Sequence, residues 1–197
     1  MSDPETLKVY AGKVAEYTAL SADAATSDPL LARFISSLPQ GGTVLDLGCG
    51  PGLSAAEMAR AGLKVVATDA VPEMVAAAAL HRGVTARQAT FEDLTEVAAY
   101  DGVWANFSLL HAPRTAMPAH LSAIHRALRP GGLCHLALKA GSGSKRDGLG
   151  RLYTYYEEAE LTQLMQTTGF TVTATDRGRE VGLDGVPADW IALFAHA

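Results

Sequence analysis

Three glycines and one acid carry the strongest chemical signal in the sequence. Gly48, Gly50 and Gly52 follow the apolar run TVLDL, and Asp69 ends the next apolar run. Glycines let the backbone turn tightly and approach a ligand closely, and a helix that starts there would point unpaired N–H groups at the same place. Asp69 could accept hydrogen bonds from two ribose hydroxyls. Together these residues predict a site for an adenosine-containing molecule.

The residues around this turn narrow the choice of ligand. A nicotinamide fingerprint, G-x-G-x-x-G, would need a third glycine where Leu53 stands. An ATP-binding P-loop is not matched either, because the run GSGSKR has neither the right neighbours around its lysine nor a strand–turn–helix context. A nicotinamide-dependent oxidoreductase is therefore the less favoured alternative.

Two further sets of side chains could take part in chemistry. His111 follows the fourth predicted strand, and a histidine titrates near neutrality, so it could act as a general base or support the loop. Tyr10 and Tyr17 are seven residues apart on one predicted N-terminal helix and so share a face. Either they pack on the domain, or they close the pocket. In the second case Tyr10 would contact the cofactor carboxylate, and Tyr17 the substrate. His111 and Tyr17 are the candidate catalytic residues, and both are also candidates for substrate binding.

A glycine-rich segment after the fifth predicted strand gathers positive charge in an otherwise acidic chain. Its glycines predict a mobile lid that recognises an anionic small molecule, with Arg151 as the clamp and Lys139 and Tyr155 nearby. The alternative is a solvated loop whose arginine pairs with Asp147 or Glu157. Both interpretations stay open at the level of the sequence.

Strands and helices must alternate to position these residues. Such alternation predicts a Rossmann-like, doubly wound α/β fold, with a mostly parallel seven-stranded sheet, helices on both faces and an antiparallel C-terminal edge pair. Ligands bind beyond the carboxyl ends of the strands in such sheets, which is where the candidate residues fall. The predicted strands are TVLDL, KVVATD, VTARQAT, YDGVWANF, GLCHLALKA, FTVTATDR and DWIALFAHA.

Length and composition limit the class of protein. The 197 residues suit one α/β domain, which we expect to span residues 1–197, with a helical cap over 1–40 and a ligand-binding core over 43–197. The formal charge of −5 argues against a nucleic-acid partner. The two cysteines form no C-x-x-C pair, so no metal site is signalled. No secretion signal or membrane span stands out, and we expect a cytoplasmic monomer or homodimer.

Several motifs now converge on one family. VLDLGCGPG resembles motif I of the class I S-adenosylmethionine-dependent methyltransferases. In chain order the similar segments are TDAVPEM, FEDL, YDGVWANFSLLH, LRPGG and EEAELTQLMQTTGF. The resemblance runs from Thr43 to the C-terminus and implies S-adenosylmethionine as the cofactor.

The resemblance also implies a set of cofactor-binding residues. Asp69 would take the ribose hydroxyls. The family often has an acid near position 90 for the adenine amino group, and this chain has Thr90. The methionine end would lie against Asp46, Gly48, Cys49 and Gly50. The adenine would lie against Ala70, Met74, Phe91 and Glu92. The sulfonium would lie near Asn106 to Ser108.

The same resemblance bears on the methyl acceptor. Amino-methylating enzymes that act on macromolecules resemble one another in a D/N-P-P-Y turn, and this chain has NFSL there. The paired cysteines of cytosine C5 chemistry are also absent, and 197 residues leave no room for a target-recognition domain. We therefore expect in-line methyl transfer to an O, N or S atom of a small molecule. A non-catalytic S-adenosylmethionine-binding partner or regulatory module is the alternative.

Overall fold

Seven strands form one continuous sheet in this protein. A computed structural model describes residues 3–197, and for residues 21–25 it describes only the backbone. The strands of the described chain are β1 (Thr43–Leu47), β2 (Lys64–Asp69), β3 (Val84–Gln88), β4 (Tyr100–Asn106), β5 (Leu128–Lys139), β6 (Ser144–Arg146), β7 (Leu152–Thr154), β8 (Thr171–Val181) and β9 (Pro187–His196).

The strand order in the sheet is β3-β2-β1-β4-β5-β9-β8. The first five strands in that order run parallel to one another, and β9 lies antiparallel to both β5 and β8. The chain reverses direction across the sheet between β1 and β4, and such a switch point opens a crevice at the carboxyl ends. The predicted Rossmann-like fold with an antiparallel edge pair is confirmed.

Helices cover both faces of the sheet, and one predicted helix is broken in two. The N-terminal helix that was expected to carry both Tyr10 and Tyr17 ends at Ala11, and Lys13 leaves the helical conformation with φ −126° while its N–H donates to the Tyr10 carbonyl at 3.1 Å. The two tyrosines therefore lie on separate helices, and the prediction that one helix face presents them is wrong. The helices are α1 (Pro4–Ala11), α2 (Val14–Ser27), α3 (Pro29–Ser36), α4 (Leu53–Arg60), α5 (Pro72–Ala78), α6 (Met117–Ala127) and α7 (Glu158–Thr167).

Helix α3 belongs to the core rather than to a cap. Asp28 caps it, accepting from the Leu30 N–H at 2.8 Å, and Pro29 begins it. Its Phe34 is fully buried, with the ring centroid 5.2 Å from that of Trp104 in β4. The cap expected over residues 1–40 stays a prediction, and of its helices α1 and α2 contact α4 and α5.

The glycine-rich segment is an ordered hairpin, not the loop that was predicted. Strands β6 and β7 pair antiparallel, and the turn between them closes around Asp147, whose carboxylate accepts from the Leu149 and Arg151 N–H groups at 3.0 and 2.9 Å. At the other end, the Thr154 hydroxyl donates to the Ala112 carbonyl at 2.9 Å. Hydrogen bonds of the backbone and of one acid thus hold this segment against the domain.

Candidate functional site

The glycine turn after β1 is built at the centre of the switch point. The Gly48 and Cys49 N–H groups both donate to the Thr68 carbonyl, at 2.8 and 2.9 Å, which ties the turn to β2. Gly48 has φ +75°, and a Cβ there would lie 2.3 Å from the Ser108 Cβ. Only glycine fits this position, so the turn stays open towards the crevice.

Asp69 is held by the backbone at the end of β2. Its Oδ2 accepts from the Gly50 N–H at 2.8 Å, and its Oδ1 accepts from the Val71 N–H at 2.9 Å. Each carboxylate oxygen keeps a further lone pair. Burial raises the pKa of this carboxyl above its usual value. The carboxylate is therefore fixed in place with acceptor capacity that faces the crevice.

A first cavity of about 650 Å³, counting the space open to solvent, lies above the turn. It continues into solvent, and Thr90 lines it where the family often has an acid. The residues predicted from the sequence that line this cavity are Tyr10, Tyr17, Gly48, Gly50, Asp69, Ala70, Met74, Phe91, Asn106 and His111. Glu92 does not line it, and its carboxylate lies 4.0 Å from His120 Nε2.

Asp46 and Cys49 line a third cavity, a wide groove of about 1530 Å³ that shares Tyr17, Gly48 and Gly50 with the first cavity. Asp46 is 3% exposed, and its Oδ2 has no hydrogen-bond partner among the described residues. Burial, together with the nearby charge of Asp69, raises the pKa of this carboxyl to about 7. An unpartnered buried carboxylate oxygen is suited to a cationic ligand group, such as an ammonium.

His111 is a neutral histidine with both ring nitrogens engaged. Its Nδ1 lies 2.7 Å from the Leu152 carbonyl, which can only accept, so Nδ1 carries the proton. Its Nε2 then accepts from the Tyr10 hydroxyl at 2.9 Å. Burial lowers the pKa of His111 to about 4. At neutral pH the histidine is therefore uncharged and fixes the Tyr10 hydroxyl.

Arg151 reaches Tyr10 from the opposite side. Its Nη1 donates to the Tyr10 hydroxyl at 3.0 Å, and its Nε and Nη2 donate to Asp147 Oδ2 at 2.8 and 2.6 Å. The arginine and aspartate side chains are only 2% and 4% exposed. The guanidinium is therefore largely engaged within the protein. Of the two interpretations left open, a substrate clamp and an ion pair in a solvated loop, the structure contains the ion pair with Asp147. That pair is buried, not solvated.

A second cavity of about 730 Å³ lies beyond Tyr10. Tyr10, Tyr17 and Phe107 line both this cavity and the first one, and the Tyr10 and Tyr17 ring centroids are 5.6 Å apart at 81°. Lys139 and Arg151, two of the predicted substrate-binding residues, line it, and their role stays a prediction. Tyr155 lines none of the three cavities, and its ring packs against Gly141.

Two residues that line the second cavity were not assigned to a site from the sequence. Trp190 comes from the distant strand β9, with its ring centroid 6.3 Å from that of Phe107, and Tyr153 lies in the hairpin. Phe107 falls within the stretch Asn106 to Ser108 that the resemblance assigns to the sulfonium. It turns the chain after β4 with φ +52°, a conformation that non-glycine residues seldom adopt and that is often found at functional sites.

Among the side chains described, no group of three or more His, Cys, Asp or Glu residues is placed to hold a metal ion. Within the same residues, no helix combines the length and the apolar character that crossing a membrane requires.

Comparison with known proteins agrees with this geometry. Residues 44–132 match the family model of a methyltransferase domain. A cypemycin N-terminal methyltransferase from Streptomyces sp is 37% identical over 142 residues, which are 69% of this chain and 57% of that protein. A ubiquinone biosynthesis O-methyltransferase from Xanthomonas axonopodis pv. citri (strain 306) is 35% identical over 119 residues, 56% of this chain and 49% of that protein. The chain thus spans about half the length of the curated relatives it matches.

A solved structure extends the likeness to the whole fold. The 1,6-didemethyltoxoflavin-N1-methyltransferase of Burkholderia thailandensis, with bound 1,6-didemethyltoxoflavin and S-adenosylhomocysteine, matches with a TM-score of 0.70. The match covers 100% of this chain and 91% of that chain at 24% sequence identity. At this sequence identity the similarity supports a shared fold alone.

Proposed function

Because this chain belongs to the class I S-adenosylmethionine-dependent methyltransferases, we propose that it transfers a methyl group from S-adenosylmethionine to an O, N or S atom of a small molecule. The observation that carries this proposal is the Asp69 carboxylate, which two backbone N–H groups hold at the first cavity. We further propose that the chain acts as one domain, with α1 and α2 as its cap.

The residues present fit the cofactor at both ends. Asp69 would accept the two ribose hydroxyls, and the adenine would lie among Ala70, Met74 and Phe91, which line the same cavity. Asp46 supplies the unpartnered carboxylate oxygen that an amino-acid ammonium requires. When bound, S-adenosylmethionine supplies a methyl carbon that the positive sulfur activates for displacement.

The chain's own residues would then orient the acceptor and exclude water. We propose that the acceptor occupies the second cavity and meets the cofactor at the shared wall of Tyr10, Tyr17 and Phe107. Both nitrogens of His111 are engaged and its pKa is low. His111 and Arg151 would therefore act as positioning residues that fix Tyr10, instead of as a base and a substrate clamp.

The acceptor atom stays open within this proposal. The names of the curated relatives refer to an N-terminal acceptor in one case and to an oxygen acceptor in the other. Those names concern proteins of which this chain spans about half the length. A neutral amine, a thiolate or an ionised oxygen would each need no base in the site, which agrees with the engaged state of His111.

Calorimetry tests the cofactor part of the proposal. We expect S-adenosylhomocysteine to bind and NAD not to bind. Asp69→Ala should weaken S-adenosylhomocysteine by more than about tenfold, because a ribose loses charge-assisted partners. Asp189→Ala removes an acid that is 65% exposed on β9, and is the matched control that should bind normally. An unchanged dissociation constant in Asp69→Ala would remove this residue from the site.

Turnover tests the catalytic part. Incubation with S-adenosylmethionine and a broad panel of small acceptors should yield S-adenosylhomocysteine with at least one of them. Tight cofactor binding without turnover over the whole panel would contradict an enzyme and favour a non-catalytic binding module.

A further inference from the structure

We infer that Lys139 selects the methyl acceptor, and that the acceptor is a planar ring that carries an anionic oxygen. This inference rests on the proposed function and concerns the second cavity, lined by Lys139, Tyr153, Trp190 and the shared wall. It names the class of acceptor, which neither the motifs nor the family determine.

Lys139 is a cation without a partner acid. It ends β5, is partly buried, and its Nζ lies 4.0 Å from the centroid of the Tyr153 ring. No carboxylate of the described residues comes within 4.0 Å of that nitrogen, although Asp184 and Glu180 are near enough to interact electrostatically. Burial lowers the pKa of the ammonium. An anion that entered the cavity would compensate this partial loss of hydration.

The other cation of the cavity is already neutralised. Arg151 is 2% exposed and donates twice to Asp147, so its charge is balanced inside the protein. Two arginines of the hairpin and its neighbours are likewise paired, Arg146 with Asp3 and Arg114 with Glu160. Glu180 lines the same cavity and interacts with Lys139 electrostatically, but it forms no ion pair with it within 4.0 Å. Among the described cations that line the second cavity, Lys139 is therefore the one that a ligand anion can still pair with directly.

Aromatic rings form the rest of the wall. Trp190 and Phe107 meet edge to face, with centroids 6.3 Å apart at 79°, and Tyr17 and Tyr153 complete the surface. Such rings favour a flat, conjugated ligand through stacked and edge contacts. Lys139 holds one side of this aromatic space, which places an anionic substituent of the ring beside the ammonium.

Two sources of the anionic oxygen share this chemistry. It is either a carboxylate next to the acceptor atom, or the acceptor itself as an ionised phenol or enol. In the second case the Lys139 charge would favour the ionised form of the acceptor, and the site would need no base. The low pKa and engaged nitrogens of His111 agree with such an arrangement.

Two pairs of probes separate these cases, and the first pair is also matched in shape. 3,4-Dihydroxybenzoate against 3,4-dihydroxybenzamide tests the carboxylate, and 4-nitrocatechol against catechol tests the ionised phenol. Binding of each probe to the S-adenosylhomocysteine complex would be measured by calorimetry, and methylation by mass spectrometry. We expect the wild-type protein to favour the anionic member of at least one pair by about tenfold or more, which corresponds to about 1.4 kcal/mol.

The variant Lys139→Met keeps the length of the side chain without its charge. We expect it to lose the preference for the anionic probe while S-adenosylhomocysteine binds as in the wild type. Lys145→Met is the matched control, because Lys145 also lies over a tyrosine ring, at 5.2 Å from the Tyr155 centroid, but lines none of the three cavities. It should retain the preference.

The outcomes distinguish this inference from the proposed function. If S-adenosylhomocysteine binds but the wild type shows no preference in either pair, or Lys139→Met keeps the preference, the inference is overturned and the cofactor site stands. If S-adenosylhomocysteine fails to bind to the wild-type protein, the proposed function itself fails.

Discussion

Replacing Asp46 with asparagine should stabilise the ligand-free protein at alkaline pH and weaken its binding of the cofactor. The carboxyl is 3% exposed, and one of its oxygens has no hydrogen-bond partner among the described residues. A buried charge in this state costs stability, because water no longer solvates it and only limited hydrogen bonding replaces the loss. The same unpartnered oxygen is what a ligand ammonium would use.

The magnitude follows from the pKa of this group. Burial and the charge of Asp69 raise it from 3.8 to about 7 in the folded protein. The pKa of Asp46 is higher in the folded protein than in the unfolded chain. The contribution of this carboxyl to stability is therefore full below pH 3.8 and is lost as the pH rises through about 7. The gap of about three pH units corresponds to about 4 kcal/mol. Relaxation and water entry reduce this figure, so we expect about 2 kcal/mol.

Thermal unfolding of the wild type and Asp46→Asn at pH 5.5 and pH 8 measures the effect. Asparagine does not ionise, so the variant avoids the loss of stability that the wild type suffers at the higher pH. The Tm of the variant minus that of the wild type should therefore be about 4–8 °C larger at pH 8 than at pH 5.5, since a protein of this size shifts by about 2–4 °C per kcal/mol. Comparing the two differences cancels the titration of all other groups.

Calorimetry on the same two proteins tests the predicted effect on cofactor binding. Asp46→Asn should weaken S-adenosylhomocysteine by about tenfold or more at pH 8, because a charge-assisted hydrogen bond is lost. In the wild type the affinity should rise from pH 6 to pH 8, as Asp46 ionises. The reasoning is refuted if the Tm difference between the two proteins is the same at both pH values, or if the variant binds as the wild type does.

Two further predictions concern the turn and the buried ion pair. Gly48→Ala should lower the free energy of unfolding by about 2–4 kcal/mol in urea titrations, because the new methyl meets Ser108. The control Gly41→Ala, at φ +70° with no atom within 4 Å of the new Cβ, should cost only about 1 kcal/mol. Equal losses in the two variants would contradict the steric argument. Arg151→Met should lower the free energy of unfolding by about 3–5 kcal/mol, because it leaves the Asp147 charge buried and unpaired. The double variant Arg151→Met with Asp147→Asn should recover part of this loss. Additive losses would show that the two side chains are not coupled.

The sheet and the cofactor turn could be predicted because their signals are local. Strand β1 is apolar along most of its length, the glycines follow it directly, and Asp69 ends the next strand, so a few neighbouring residues are enough to indicate each part. The backbone positions Asp69 through the N–H groups of Gly50 and Val71, which are close to it in the folded turn whatever the rest of the chain does.

The acceptor side of the site depends on contacts that are distant in sequence. Tyr10 and Arg151 are 141 residues apart, and Tyr10 and His111 are 101 apart. The break at Gly12 removes the helical face that was predicted for the tyrosines, yet the folded chain brings Tyr10 and Tyr17 together by packing α1 on α2. No periodic pattern in the sequence predicts this contact between the two tyrosines.

In the proposed function, helix α1 and the hairpin would therefore determine which acceptor enters the second cavity. Helix α1 is fixed to β7 by the Thr6 hydroxyl, which accepts from the Leu152 N–H at 2.8 Å, and by Tyr10, which accepts from Arg151. The motifs that predict the cofactor lie between β1 and β5, whereas Lys139 and Tyr10 lie outside or at the border of that stretch. Because Lys139 lines the second cavity and not the first, we expect a substitution at Lys139 to change the acceptor preference without changing the affinity for S-adenosylhomocysteine.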